Sequence, residues 1–270
     1  MNKDLEKLLS EYDNIVIGAG SGLSAAAGFE YGGKTFMDNF SYMYEKYGYT
    51  DMYSAGFHNF DTLEDYWAFW SIMVYLNRYK YLARPLYKKL YELVKDKNYF
   101  VITTNVDHQF QLSGFDKKRL FYMQGDYGLF QCSASCHNQT YDNKEIITEM
   151  INNTVNNKIP TNLIPRCPKC GKPMTMNLRC DDMFVEDKGL KEAQNRYINF
   201  IKNNKNKKIL YLEIGVGYST PVWIKYPFMN FVYSNKDARY VVINKENEKI
   251  PYEIKKQTLV IKDDIGKVIM

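Results

Sequence analysis

Asn14-Ile15-Val16-Ile17-Gly18-Ala19-Gly20-Ser21-Gly22 is the stretch that decides how this chain is read. Three consecutive β-branched residues favour an extended, buried strand. The glycines that follow permit a tight turn, and the small residues from Leu23 to Gly28, Ser24 among them, suit the start of a helix. In a strand–turn–helix of this kind, glycines let backbone amides approach a pyrophosphate while the positive end of the helix stabilises its charge. The dinucleotide fingerprint is incomplete: Leu23 stands where a third glycine is expected, and no acidic residue ends a second strand about 20 residues later. A tight strand-to-helix turn without a ligand is the plainer alternative.

Working outward, the pattern repeats. Residues 63–81 show strong helical patterning rich in Trp, Phe and Tyr, and a second helix over 85–95 opens on Pro85, which suits a first turn. The apolar run 99–103 ends in Thr104-Asn105-Val106-Asp107, and 120–123 ends in Gln124-Gly125-Asp126. After a helix over 187–203, the run 209–214 ends in Gly215-Val216-Gly217, 240–243 ends in Asn244-Lys245-Glu246, and 258–261 forms the last strand. Apolar strands that alternate with helices and stop in Gly, Asn, Asp or Gln describe an α/β fold with a Rossmann-like parallel sheet, whose ligand lies beyond the carboxyl ends of the strands. Taken alone, Asn105 and Asp107 read better as helix caps than as ligand contacts.

Residues 132–186 interrupt this rhythm with cysteines, prolines and an Asn-rich run. The expected organisation is therefore a Rossmann-like domain over 1–131 and 187–270, with 30–98 partly a helical or lid insertion, and a small zinc-binding domain over 132–186. Cys132-x3-Cys136 and Cys167-x2-Cys170-Gly171 are two close thiol pairs of the kind that hold a tetrahedral structural Zn²⁺. His137 is adjacent as a substitute ligand, and Cys180 is left over.

The 270 residues carry 45% apolar and 25% charged side chains, with 24 Tyr and 15 Phe, which excludes a disordered or collagen-like chain and supplies a large core. The net charge of +5 gives no argument for nucleic acid. No run approaches the 18 or so apolar residues of a membrane helix, and Met1 to Glu11 lacks the apolar centre of a secretory signal. Five cysteines in two close couples and a remainder suggest a metal site in a reducing compartment, so the expected address is the cytoplasm.

The order Gly-Ala-Gly, Thr-x-Asn-x-Asp, x-Gly-Asp followed by two Cys pairs, Gly-x-Gly with a following Ser, and Asn-x-Glu resembles the sirtuins from Asn14 to about Ile265. That resemblance implies an NAD-cleaving enzyme with a large dinucleotide-binding domain and a small structural-zinc domain. Gly18, Ala19 and Gly20 would line the pyrophosphate, and Ser24 would be a further cofactor-binding residue. Asn105 would hold the ribose or an ordered water, and Asp107 the nicotinamide carboxamide. Gly215, Gly217, Asn244 and Glu246 would line the adenosine half, with Asp264 and Ile265 near the adenine and Ser219 a further cofactor-binding residue.

The departures from the deacylase sirtuins carry as much weight. Glu30-Tyr31-Gly32-Gly33-Lys34-Thr35-Phe36 replaces their Pro-Asp-Phe-Arg segment, two residues are inserted near Ser21 and Gly22, and Thr104 stands for the Gln of Thr-Gln-Asn. Gln124 stands where they have His. A carboxamide has no pKa near neutrality and cannot act as general base, but it can orient hydroxyls. These departures, in a short bacterial-looking chain, resemble the macrodomain-linked, class M, sirtuins. That implies protein ADP-ribosylation, with Asn105, Gln124 and Asp107 as catalytic residues, a lipoyl-carrier protein as acceptor, and a macrodomain hydrolase acting on the product. Asp126 and Glu30 are candidate bases. The alternatives are an NAD-dependent deacylase or delipoylase, an NAD hydrolase, and a non-enzymatic NAD-binding module.

Overall fold

A computed structural model describes residues 1–219 and 221–270. Among these, nine strands follow in chain order: β1 (Asn14–Ala19), β2 (Asn98–Thr103), β3 (Leu120–Tyr122), β4 (Gly125–Cys132), β5 (Tyr141–Asp142), β6 (Met174–Leu178), β7 (Ile209–Ile214), β8 (Ala238–Asn244) and β9 (Thr258–Lys262). No helix among them is long and apolar enough to cross a membrane. The chain forms two compact units, one of Met1–Gly28, Ala83–Gln124 and Lys188–Met270, the other of Phe29–Leu82 and Gly125–Asp187.

The first unit is the Rossmann-like sheet, in the order β3-β2-β1-β7-β8-β9 with every pairing parallel. β7 is buried along its whole length and β1 from its second residue on, the burial expected of parallel strands covered on both faces. The helices Lys3–Glu11 and Pro85–Val94 bring Leu5, Leu9, Leu86, Leu90 and Val94 into one core with Ile15, Ile17, Leu210 and Val241. Against β7 and β8 lies the helix Lys225–Ser234, whose Phe228 ring sits 5.1 Å from that of Tyr211 and 6.4 Å from that of Tyr240.

From β1 the chain builds outward to β2 and β3, then returns to the other side of β1 for β7, β8 and β9. The order thus reverses between β1 and β7, the point at which open parallel sheets bind ligands. At that point the turns after the two strands meet backbone to backbone. Gly20 N donates to Ile214 O at 3.1 Å, and Gly22 N to Gly215 O at 2.9 Å. A Cβ on Gly20 would lie 2.7 Å from Gly215 O, and one on Gly215, whose φ is +61°, would lie 2.5 Å from Leu23 N.

In the second unit β4 pairs antiparallel with β5 and β6. The pairing with β6 runs from Gly125 to Cys132, so the compact small unit starts at 125 where the sequence reading started it at 132, and it also includes 29–82. The helix Leu63–Val74 buries Trp67, Phe69, Trp70 and Met73, and Trp67 packs on Phe130 of β4 with ring centroids 4.8 Å apart. Patterning over 63–81 predicts one helix, but the α-helix stops at Val74 and a π-helical turn follows over Tyr75–Tyr79. The side chain of Asn77 donates to Met73 O at 2.9 Å, the carbonyl that its own backbone N–H would take in an α-helix.

The four paired cysteines come together at the end of β4, with all four Sγ atoms within 4.8 Å of one another. Sγ separations are 3.5 Å for Cys132–Cys170 and 3.6 Å for Cys136–Cys167. Four thiolates at about 2.3 Å from a tetrahedral zinc stand about 3.8 Å apart, so the donor set and spacing fit a structural Zn²⁺. Burial works to raise the Cys132 thiol, but backbone amides of Cys136 and Ala134 outweigh it and hold it down to about 6. Desolvation and the three surrounding sulfurs push Cys136 up to about 12. Like charges at this range cannot all ionise unaided, and a central dication removes that conflict. His137 stands outside this set, with Nδ1 3.0 Å from Cys136 Sγ and Nε2 2.7 Å from the Tyr141 hydroxyl, while Cys180 is exposed apart from the cluster.

Two outcomes follow. Gly215→Ala should destabilise the protein by about 1–3 kcal/mol, whereas Gly217→Ala, which meets nothing within 4 Å, should stay within about 0.5 kcal/mol; denaturant titration compares them. Metal analysis should find one zinc per chain, absent from Cys167→Ser, with faster amide exchange in β4 and β6 of that variant.

Candidate functional site

Strand register sets the site. Ala19 pairs with Thr103 and Ile214, Thr103 with Tyr122, Ile214 with Ile243, and Ile243 with Ile261. The next residues, Gly20, Thr104, Met123, Gly215 and Asn244, therefore form one row across the carboxyl edge of the sheet. Asn105 and Gln124 stand two residues beyond a register pair, at matching places on neighbouring strand ends.

At the middle of this row the polar side chains are bonded to one another. Ser24 Oγ donates to Asp107 Oδ2 in a short hydrogen bond and lies 3.0 Å from the Tyr87 hydroxyl. Asn105 Nδ2 donates to Gly20 O at 3.0 Å and to the Tyr87 hydroxyl at 3.1 Å, while its backbone N–H bonds Thr103 Oγ1 at 3.0 Å. Thr103 Oγ1 in turn donates to Ala19 O at 3.1 Å. After Asp107 the chain turns through His108 in the left-handed conformation, φ 64°, and Gln109 N returns to Asp107 Oδ1 at 3.0 Å. The Asp107 carboxylate is thereby buried and aimed by donors on both oxygens.

Tyr87 is the member that sequence reasoning missed. It is fully buried on the apolar face that Leu86, Leu90 and Val94 also form. A phenol on such a face must find a partner, which is the one signal the sequence offers. Burial first, and then the adjacent Asp107 carboxylate, lift its pKa well above the ordinary tyrosine value, so the hydroxyl keeps its proton.

The other sequence-named residues divide into two groups. Gly217 and Ser219 are exposed, and Gly217 faces open space. Asn244 Nδ2 donates to Val216 O at 3.3 Å, tying the β8 end to the β7 turn. Asp264 caps the helix Ile265–Ile269 and pairs with Lys245 at 2.7 Å; the Lys245 ammonium holds its carboxyl below the usual range. Glu246 is exposed on the same edge. By contrast Gly18 lies inside the sheet, where a Cβ would meet Ile224 at 2.4 Å and Phe228 at 2.7 Å, and the Ile265 side chain is in the core. These two serve packing with their side-chain positions and can face a ligand only with backbone.

Of the candidate bases, both in the second unit, Asp126 is buried, paired with Arg78 Nε at 2.9 Å and accepting Gly128 N at 2.7 Å. These two bonds tie the carboxylate to Arg78 and to the backbone of its own strand. Glu30 is exposed and accepts only a long bond, 3.3 Å, from Thr35 Oγ1.

No protein-family model matches the chain. A Staphylococcus aureus strain Mu50 protein named Protein ADP-ribosyltransferase is 40% identical over 269 residues, 98% of this chain and 84% of its own length. A Fusarium oxysporum f. sp. cubense protein, a Probable bifunctional ADP-ribose hydrolase/ADP-ribosyltransferase, is 28% identical over 97% of this chain, which spans 46% of that longer protein. Among solved structures, "The Structural basis of Sirtuin Substrate Affinity" matches with a TM-score of 0.61 at 17% identity, covering 98% of this chain and 95% of that one. A Sir2 homolog–NAD complex matches at 0.60 and 16% identity, covering 100% and 91%. The sheet order and the helices around it are thus those of the sirtuin fold, and the chain belongs to the family of the protein ADP-ribosyltransferases built on that fold.

Proposed function

We propose that the carboxyl edge of the sheet binds NAD as substrate and that the enzyme transfers its ADP-ribose to an acceptor protein, a lipoyl-carrier protein being the acceptor class. The observation that carries this reading is the group Ser24–Asp107–Tyr87–Asn105, fixed around Gly20 at the point where the strand order reverses. The name of the 40%-identical relative and the NAD complex among the fold neighbours support it.

Transfer breaks the bond between nicotinamide nitrogen and ribose C1′ and forms one from C1′ to an acceptor nucleophile. Nicotinamide leaves neutral with the bonding electrons, and the nucleophile gives up its proton. Such a displacement relies chiefly on positioning, because the leaving group is already cationic in the substrate. Asn105, locked through Gly20 O and Tyr87, orients the nicotinamide ribose, and Asp107 receives the carboxamide. Gln124, at the matching place on the next strand end, hydrogen-bonds ribose hydroxyls or the acceptor without taking a proton. Loss of the basic imidazole weakens the deacylation route, which needs a ribose hydroxyl deprotonated, and leaves ADP-ribosyl transfer intact. Gly217, Ser219, Asn244, Glu246 and Asp264 line the adenosine half. Pairing of hydrolase and transferase in the name of the Fusarium relative supports a macrodomain-type hydrolase acting on the product.

Intact-mass spectrometry of a lipoylated carrier protein with enzyme and NAD tests this, with nicotinamide release followed in parallel. A gain of one ADP-ribose is expected. With Asn105→Ala the rate should fall about 100-fold or more with the fold retained; unchanged turnover would remove Asn105 from the site. Loss of the lipoyl group instead would make the enzyme a deacylase, and release with an unmodified carrier would make it a hydrolase or its acceptor another protein. Tyr87→Phe should cost about 1–3 kcal/mol of stability, because Asn105 and Ser24 lose a buried partner, and it should lower the transfer rate while leaving zinc content unchanged.

A further inference from the structure

Lys225 is the first residue of its helix, and it is wholly buried. Both features run against local preference, since a helix N-terminus favours anions and a lysine is seldom sealed from water. Its ammonium lies 2.5 Å from Glu213 Oε1, one residue before the carboxyl end of β7, and 2.6 Å from Glu248 Oε2 in the segment after β8, with all three side chains fully buried. Glu213 also accepts from the Tyr240 hydroxyl. Burial lifts the Glu213 pKa, while for Lys225 the two carboxylates overcome burial and raise it.

Nothing in the transfer chemistry uses this cluster, yet it leads straight to the strand-end row. Glu248 Oε1 accepts from Asn244 Nδ2 at 2.7 Å, and Asn244 Nδ2 also reaches Val216 O at 3.3 Å. The Tyr218 ring covers the ammonium at 4.8 Å; its hydroxyl donates to Glu248 at 3.1 Å and accepts from Lys249 N at 3.1 Å. One buried cation therefore fastens the turn after β7 and the segment after β8 to each other and to the sheet.

We propose that Lys225 is a positioning residue for the adenosine half of the dinucleotide, acting through Glu248 to hold Asn244 and the Gly215–Gly217 turn at one spacing. This role rests on the reading that the strand ends bind NAD. A lysine needed only for core packing would behave differently, because buried ion pairs are often replaceable by apolar residues without loss of stability. Removing the cation alone leaves Glu213 and Glu248 facing one another, which expels the Glu248 segment from its seat.

The test is calorimetric titration of the full chain with ADP-ribose, together with NAD kinetics, for Lys225→Met, Glu248→Gln and the double variant. Each single change should weaken ADP-ribose binding and raise KM for NAD by about tenfold, with kcat within about twofold, the pattern of lost ground-state binding. The double variant should bind no more weakly than the worse single one, since both act through one tether. Should Lys225→Met fail to fold, Glu248→Gln and Glu248→Ala carry the same comparison from the segment end. Wild-type affinity in the folded variants, or losses that simply add, would overturn the tether. A folded wild type that does not bind ADP-ribose would overturn the site reading itself, and this role with it.

Discussion

The structure depends on two backbone turns being allowed to touch. Gly20 and Gly22 after β1 stand against Gly215 after β7 at distances that no Cβ could occupy, and the amides and carbonyls of the two turns bond across the gap. Because these turns close on one another at the reversal of strand order, the residues that follow each strand come out in register. The polar side chains past each strand end then become neighbours. A larger residue at 20 or 215 would push apart the two halves of the sheet edge that supply, respectively, the hydroxyl–carboxylate group and the Asn244 side.

On that edge, polar groups are buried only where they are bonded. Leaving a buried donor or acceptor unpaired costs about 1–3 kcal/mol, so a fully paired group resists rearrangement. Tyr87 is the hub on one side, shared by Ser24 and Asn105 and close to Asp107, and Lys225 is the hub on the other. Both come from helices packed against the sheet and reach the functional edge through one atom. Side chains proposed to hold a sugar and a carboxamide are thus fixed by the fold before any ligand arrives, the condition under which positioning accelerates a displacement.

Much of this was legible in the sequence. The apolar runs at 14–17, 99–103, 120–123, 209–214, 240–243 and 258–261 lie within strands or at their edges, because strands covered on both faces read as continuous apolar segments. The cysteine spacing led to a four-thiol cluster, since a turn such as Cys167–Gly171, closed by Gly171 N on Cys167 O at 2.9 Å, is a local structure. What stayed hidden depends on contacts between residues far apart in the chain. Tyr87 sits in a segment whose patterning marks it as an ordinary helix position, and Lys225 in a stretch to which the sequence reading assigns no element; only tertiary packing gives them polar partners. The compact unit that joins 29–82 to 125–187 is likewise a matter of long-range packing, here Trp67 on Phe130. Gly18, which the Gly-Ala-Gly pattern places at the phosphate turn, also has a packing role that the pattern does not reveal: its missing Cβ makes room for Ile224 and Phe228.

In the proposed function, the edge formed by Gly20, Asn105, Asp107 and Asn244 is where the dinucleotide binds and where transfer occurs. A crystal structure with a non-cleavable NAD analogue tests it most directly. The expected result is a pyrophosphate at the Gly20–Ser21 turn, the nicotinamide ribose against Asn105 with the carboxamide toward Asp107, and the adenosine along Gly217 and Asn244. An analogue bound away from the Gly20–Gly215 turns, or with its nicotinamide end at Asn244, would contradict it.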